Sequence, residues 1–392
     1  MIYLNHLGIL CAAGNSPAEV KRRVLQQPES GIAMTERYSP GRMLPLGCVD
    51  DVLPSIDHLP LAEQSRNNRL ALAALAQIRS DIDVAIDRYG ANRIGIVIGT
   101  STSGIAESEA ALREYHACKA LPSSFHYSQQ ELASPASMLA AVLGISGPTY
   151  VHSTACASSA KAMASAARLL NMGICDAVLC GGIDSLCAFT VAGFAALESV
   201  SSTRCNPLSA NRDGINIGEG AALFLMTREP GPVSLRGWGE SSDAHHMSAP
   251  EPSGQGASLA IEKALARAGI APSEIDYINL HGTATVQNDA MESHAVSRLF
   301  GDAVAVSSTK PFTGHALGAA GAIEAALCWL TMQDDNPGGS LPPHLWDGAR
   351  DPAIPRLNLA ISGASLGRPV RWCLSNSFAF GGANAALVFG RE

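Results

Sequence analysis

A chain of 392 residues, 47% hydrophobic and 16% charged, can bury more than one small core, so two domains or one large duplicated one are expected. Its net charge of -8 excludes nucleic-acid binding through a broadly basic surface and leaves an acidic partner only a local basic patch to dock on. The ten cysteines contain no C-x-x-C pair and no zinc-type spacing, so no metal is expected; with no basic, apolar leader at Met1 to His6, they read as reduced thiols of a cytoplasmic protein.

Taken in order, Met1 to Leu10 reads as a strand, and Ser16 followed by Pro17 opens a helix. Gln27 to Pro60, rich in Pro, Gly and polar residues, reads as loop, and Arg69 to Ile78 as helix. Arg93 to Thr100 is a β-rich run with a Gly/Ser/Thr turn at its C-terminal end; helices follow at Ile105 to Tyr115 and Pro135 to Leu143. Cys156 lies where small polar residues give way to an Ala-rich helix ending near Asn171, and Ala177 to Gly182 is the next strand. Strand, helix and strand make a crossover in a parallel sheet. Gly220 to Thr227 and Pro232 to Trp238 are further strands.

The second half repeats the plan: helix Ala257 to Ala268, strand Ile275 to Leu280, helix Asp289 to Phe300, strand Val304 to Ser307, a helix from Ala316, and paired strands near Val370 to Ser375 and Ala385 to Phe389. The run from Ala316 to Met332 is too short, and too interrupted by Glu324 and glycines, to span a bilayer. These patterns imply a duplicated α/β fold with one site between its halves, residues 1–245 carrying the nucleophile and 246–392 both histidines, with the boundary near Glu240 to Gly254.

Cys156, His281 and His315 stand at predicted strand or helix ends. A helix entrance lowers the pKa of a thiol, and a nearby imidazole accepts its proton or stabilises developing charge. The alternative is a buried unreactive cysteine with two histidines satisfied by backbone groups.

The motifs around these residues tip the balance. Cys156 in STACASSA, His281 in HGTAT with Asp289 and Glu292 following, and Lys310 and His315 in STKPFTGHALGAAG resemble the β-ketoacyl-[acyl-carrier-protein] synthases of the Cys-His-His class. Further matches are Arg212-Asp213-Gly214, Gly218-Glu219-Gly220, Ser242 to Met247 and Asn376 to Gly382, in family order along nearly the whole chain. The resemblance implies a thiolase-like fold, two similar αβα halves in a five-layer αβαβα arrangement, and no cofactor.

It implies that Cys156 is acylated and that His281 and His315 promote decarboxylation of a malonyl thioester. The backbone N–H groups of Cys156 and Phe380 form an oxyanion hole, and Lys310 supports the site with Glu324, Asp289 and Glu292. Phe378 and Phe380 gate the acyl pocket, and Thr283 and Thr285 bind the phosphopantetheine arm. The implied partner is an acyl carrier protein docking on Arg66, Arg69 and Arg204. A homodimer is usual, and pairing with a chain-length factor is the alternative. Ala284 and Ala379 replace glycines usual in the family, which points towards a specialised polyketide or polyene pathway. A thiolase-like acyl transferase is the rival enzyme, but it would need a second cysteine near the C-terminus, and Asn376 to Gly382 has none.

Overall fold

The strands of each half are joined in one repeated order. The first half of the chain supplies β1 (Ile2–Cys11), a separate ribbon of β2 (Ala33–Thr35) and β3 (Leu44–Leu46), then β4 (Ile94–Gly99), β5 (Thr149–His152), β6 (Ala177–Asp184) and β7 (Gly220–Thr227). The second supplies β8 (Val233–Ser242), β9 (Tyr277–Asn279), β10 (Ala305–Ser307), β11 (Asn358–Leu359), β12 (Trp372–Phe378) and β13 (Ala383–Gly390). In this computed structural model, which describes residues 1–391, the hydrogen-bonded order is β11-β10-β9-β12-β13-β8-β1-β7-β6-β4-β5.

Read outward from the β8–β1 junction, the first half runs β1-β7-β6-β4-β5 and the second β8-β13-β12-β9-β10, with β11 added at the edge. Both follow the same permutation of their strands. The pairing directions also repeat: β4 is parallel to β5 and β6, as β9 is to β10 and β12, the remaining neighbours within the two five-strand repeats are antiparallel, and the added edge strand β11 is parallel to β10. Between the halves β1 and β8 share only the pairs Ile2–Leu235, Tyr3–Ser234 and Leu4–Val233.

The helices are α1 (Pro17–Lys21), α2 (Arg66–Ala76), α3 (Arg79–Tyr89), α4 (Ile105–Cys118), α5 (Ser134–Leu143), α6 (Ser158–Asn171), α7 (Ala188–Ala196), α8 (Gln255–Ala268), α9 (Val286–Phe300), α10 (Lys310–Thr313) and α11 (Ala320–Thr331). Helices α6 and α11 touch each other and strands of both halves, so they form the middle layer. Alanines at 160, 162, 164, 166 and 167 of α6 are all buried, and so short a side chain lets the flanking strands approach closely. Helices α2 and α5 share a core with the outer face of the first sheet, and α8 and α9 with that of the second. The result is the expected five-layer αβαβα arrangement.

Three features differ from the sequence reading, the first being the β2–β3 ribbon inside the Gln27 to Pro60 segment read as loop. The repeat passes from one copy to the next between β7 and β8, at residues 228–232, instead of near 245, because β8 follows β7 closely in sequence but pairs with β13. Helices α3 and α7 were not expected. Only Gln77 and Ile78 separate α3 from α2, and α7 is apolar around its circumference with only Val191 buried, so it shows no amphipathic period.

The middle layer leaves α6 no room to grow. Ala164→Leu should lower stability by about 1–3 kcal/mol, read as a lower urea midpoint at unchanged slope, whereas Lys161→Leu, on the partly exposed side, should change it little.

Candidate active site

Corresponding ends of the two half-sheets deliver the candidate site residues. Cys156 follows β5, His281 follows β9, Lys310 and His315 follow β10, and Phe378 ends β12. The turn at Cys156 is strained: Ala155 has φ +48°, in the left-handed region, and α6 begins two residues after the cysteine with Ala157 as its cap. Ser158 Oγ holds this turn by accepting from the Thr154 N–H at 2.8 Å and donating to the Ala155 carbonyl at 2.6 Å.

Cys156 Sγ lies 2.9 Å from His315 Nε2, and the rings of His281 and His315 stand edge to face at 5.3 Å between centroids. All three residues are at least 95% buried. Burial pushes the Cys156 thiol up to about 12, against the pull of Lys310, which reverses the expectation of a lowered thiol pKa. Burial, helped by the positive charge of Lys310, holds both imidazoles well below the usual histidine range. The resting pair is therefore a thiol donating to a neutral imidazole. Cys156, His281 and His315 have donor atoms within 4.8 Å of one another, but the Lys310 ammonium, 3.4 Å from His281 Nδ1, makes the group a poor cation site.

Lys310 donates to the His281 carbonyl and to Glu324 Oε1, and lies 1% exposed. Burial pushes the Glu324 carboxyl up to about 7, with Lys310 opposing that rise. Glu292, also pushed up to about 7 by burial, accepts from the backbone N–H groups of His281 at 2.8 Å and Gly282 at 2.7 Å and from Asn376 Nδ2 at 3.1 Å. Asp289 accepts from the N–H groups of Leu208 and Ala284 at 2.7 and 3.2 Å. These carboxylates fix the backbone around His281 from behind.

Thr283 and Thr285 pair through their hydroxyls at 3.0 Å and face the cavity above Cys156, while Thr285 also caps α9 by accepting from the Asn288 N–H. Ala284 between them has φ +67° and is fully buried, a conformation glycine adopts without strain. The Phe378 ring lies 6.1 Å from the His281 ring and Phe380 5.6 Å from Phe194, centroid to centroid. The Phe380 backbone N–H acts on the Cys156 thiol, favouring its ionised form against burial. Ala379 is extended at φ −114°, so a methyl fits there, and the left-handed freedom of the loop lies in Gly381 and Gly382.

Two of the three expected docking arginines face inward. Arg66 is bound to the fully buried Glu219 through Nε at 2.8 Å and Nη2 at 2.5 Å, and it also donates to the Val49 carbonyl. Arg69 donates to the carbonyls of Pro54 and Leu53 at 2.9 and 2.8 Å. Their order in the sequence gave no sign that a buried glutamate and loop carbonyls claim them; Arg204 alone is exposed. Phe194 on α7, and Ser248 and Pro250 in the loop after β8, line the cavity without having been anticipated, since none sits in a polar motif.

Removing Lys310 strands a buried carboxylate, which costs about 3–5 kcal/mol when ionised. The folded-state pKa of Glu324 is raised above its ordinary value of 4.5, so its ionisation opposes folding as pH rises through about 7. Lys310→Ala should therefore destabilise more at pH 8 than at pH 6 in chemical denaturation, and Glu324→Gln in the same chain should erase that difference.

Residues 10–230 match the family model "Beta-ketoacyl synthase, N-terminal domain", and residues 233–345 match "Beta-ketoacyl synthase, C-terminal domain". The 3-oxoacyl-[acyl-carrier-protein] synthase 2 of Synechocystis sp. is 32% identical over 361 residues, 86% of this chain and 85% of the relative. The Staphylococcus aureus synthase 2 is 31% identical over 354 residues, 85% and 86% of the two chains. A structure of the ketosynthase ApeO in complex with its chain length factor ApeC, from Xenorhabdus doucetiae, matches with TM-score 0.93 and 44% identity, covering 100% of this chain and 98% of that one. A β-ketoacyl synthase from Burkholderia phymatum matches with TM-score 0.87 and 26% identity, covering 100% and 99%. Cys156, His281 and His315 thus stand in a chain that belongs to the β-ketoacyl synthase family.

Proposed function

We propose that this chain is the condensing subunit of a ketosynthase that joins an acyl group on Cys156 to malonyl carried by an acyl carrier protein, working beside a chain length factor in a specialised polyketide or polyene pathway. The observation that carries this reading is the buried thiol–imidazole pair at 2.9 Å, with a second neutral imidazole beside it.

In the first half-reaction Cys156 Sγ attacks the acyl thioester carbonyl while its proton passes to His315 Nε2. The tetrahedral oxyanion is held by the N–H groups of Cys156 and Phe380, and collapse expels the carrier thiol, which takes the proton from His315. In the second, the malonyl C–C bond breaks to release CO2, and its electron pair forms an enolate. Lys310 beside His281 Nδ1 makes that atom an acceptor and leaves the ring proton on Nε2, which donates to the enolate oxygen. Once Cys156 is acylated, His315 Nε2 no longer faces the thiol proton, and the neutral ring, shifted to the tautomer that carries its proton on Nε2 instead of Nδ1, donates to the same oxygen. The enolate carbon attacks the acyl carbonyl, and the Cys156 sulfur leaves as thiolate and takes up one proton from solvent, which balances the loss of CO2 from a carboxylate. Loss of CO2 supplies the carbanion, so no strong base is required.

Higher identity to a chain of the complex between a ketosynthase and its chain length factor, 44% against 31–32% for the synthase 2 relatives, supports the heterodimer over the homodimer. The strained Ala284, buried between two threonines that line the cavity, fits a specialised substrate arm environment. Arg204 remains as the exposed candidate for carrier docking, and Thr283 and Thr285 as contacts for the pantetheine arm. No helix among the described residues is long and apolar enough to cross a membrane, which is in keeping with a cytoplasmic enzyme.

Intact-mass measurement after incubation with acyl-carrier thioesters should show one acyl adduct on the wild-type chain and none on Cys156→Ala. Malonyl-carrier should then discharge it as a ketoacyl product two carbons longer. His281→Ala should keep the adduct but slow its discharge by about 10²–10⁴-fold. Acylation from coenzyme A with no use of malonyl-carrier would favour the thiolase-like transferase instead.

A further inference from the structure

Asp184, the last residue of β6, is a fully buried carboxyl group whose hydrogen-bond partners among the described residues are all N–H groups or hydroxyls. Its Oδ1 accepts from Thr100 Oγ1 at 2.7 Å, from the Ser101 and Thr102 N–H groups at 2.8 Å each, and from Thr102 Oγ1 at 2.9 Å. Its Oδ2 accepts from the Ser101 N–H at 3.0 Å and from the Gly318 N–H at 2.5 Å. Burial raises the pKa of Asp184, and this set of donors opposes that rise by favouring the ionised form.

The groups it gathers lead to both members of the reactive pair. On one side, Ser101 Oγ donates to the carbonyl of Ala155 at 3.3 Å, the strained residue immediately before Cys156. On the other, Gly318 lies three residues after His315 in the turn that starts α11, next to Leu317, which is itself left-handed at φ +47°. The fit around Gly318 is tight: a Cβ there would stand 2.7 Å from Asp184 Oδ2 and 2.7 Å from Ser101 Oγ. Only glycine lets the His315 turn come this close to the carboxylate. Two left-handed non-glycine residues, one beside each reactive side chain, are thereby held by one buried anion.

We propose that Asp184 is a positioning residue that sets the Cys156–His315 geometry, by clamping the turn that carries the nucleophile and the turn that carries its proton acceptor to the end of a single strand. It does not touch the substrate. The inference takes acylation of Cys156 as the reaction it serves, and it is testable on the bare thiol as well.

The test uses Asp184→Asn, which keeps the shape but turns one acceptor into a donor facing backbone N–H groups, and Ser101→Ala, which cuts the thread to Ala155 and leaves the carboxylate cluster in place. Thermal melting and circular dichroism establish that each variant is folded. For Asp184→Asn, kcat for acyl transfer should fall at least tenfold with KM for the acyl-carrier changed less than threefold. Ser101→Ala should lose about threefold to tenfold in kcat at a melting temperature close to wild type. In both, the rate of Cys156 alkylation by iodoacetamide should change at least threefold, which a lesion confined to substrate binding would not produce. Wild-type kcat and alkylation rate in Ser101→Ala, whether Asp184→Asn folds with normal kcat or does not fold at all, would overturn the proposal. Changed alkylation with no acylation of the wild-type chain by any carrier thioester would instead sustain the positioning role and count against the reaction assigned to the site.

Discussion

Burial of every titratable group at the reaction centre is the condition on which the rest of the site depends. Cys156, His281 and His315 lie out of water together, and desolvation pushes the thiol up and both imidazoles down, so all three rest neutral. The charge that remains is Lys310, which Glu324 meets at the same depth. A cation behind two uncharged imidazoles suits a reaction in which negative charge appears only transiently, on a thioester oxygen or an enolate.

The duplicated fold supplies this environment by bringing equivalent strand ends to one place. Strand β5 of the first copy and β9 and β10 of the second end at the site, and α6 and α11, packed between the sheets, start from it. The middle layer excludes water from behind, while Glu292 and Asp289 pin the backbone of the His281 loop. Strain is concentrated there too: Ala155, Ala284 and Leu317 all take left-handed conformations within a few residues of the reacting groups. Each costs on the order of 1 kcal/mol or more, so the hydrogen bonds of Ser158, Asp289 and Asp184 are what keep these turns in shape.

Much of this was legible in the sequence because the local patterns were strong. The alternation of strands and helices, the Ser16–Pro17 helix start and the positions of Cys156, His281 and His315 at element ends all appear where periodicity and end signals placed them. What escaped depended on contacts distant in sequence. Helix α7 carries Phe194 into the cavity but has no polar face to mark it, and β8 could be assigned to the second copy only by its pairing with β13. Arg66 and Arg69 looked like surface charges until Glu219, 153 residues away, and the Leu53–Pro54 carbonyls were seen to hold them. The direction of the Cys156 pKa was missed for the same reason: proximity to a helix start is local, whereas its burial is assembled from both halves of the chain.

The most direct test of this account is the charge state of the resting nucleophile. Thiolate absorbance of the wild-type chain and of Cys156→Ala, compared across pH 6 to about 11, isolates the ionisation of Cys156 from the other nine cysteines. The account predicts no Cys156 thiolate at neutral pH and a difference signal that emerges only well above the ordinary cysteine range. A thiolate already present at pH 7 would contradict it, and would mean that the helix start and Lys310 outweigh burial.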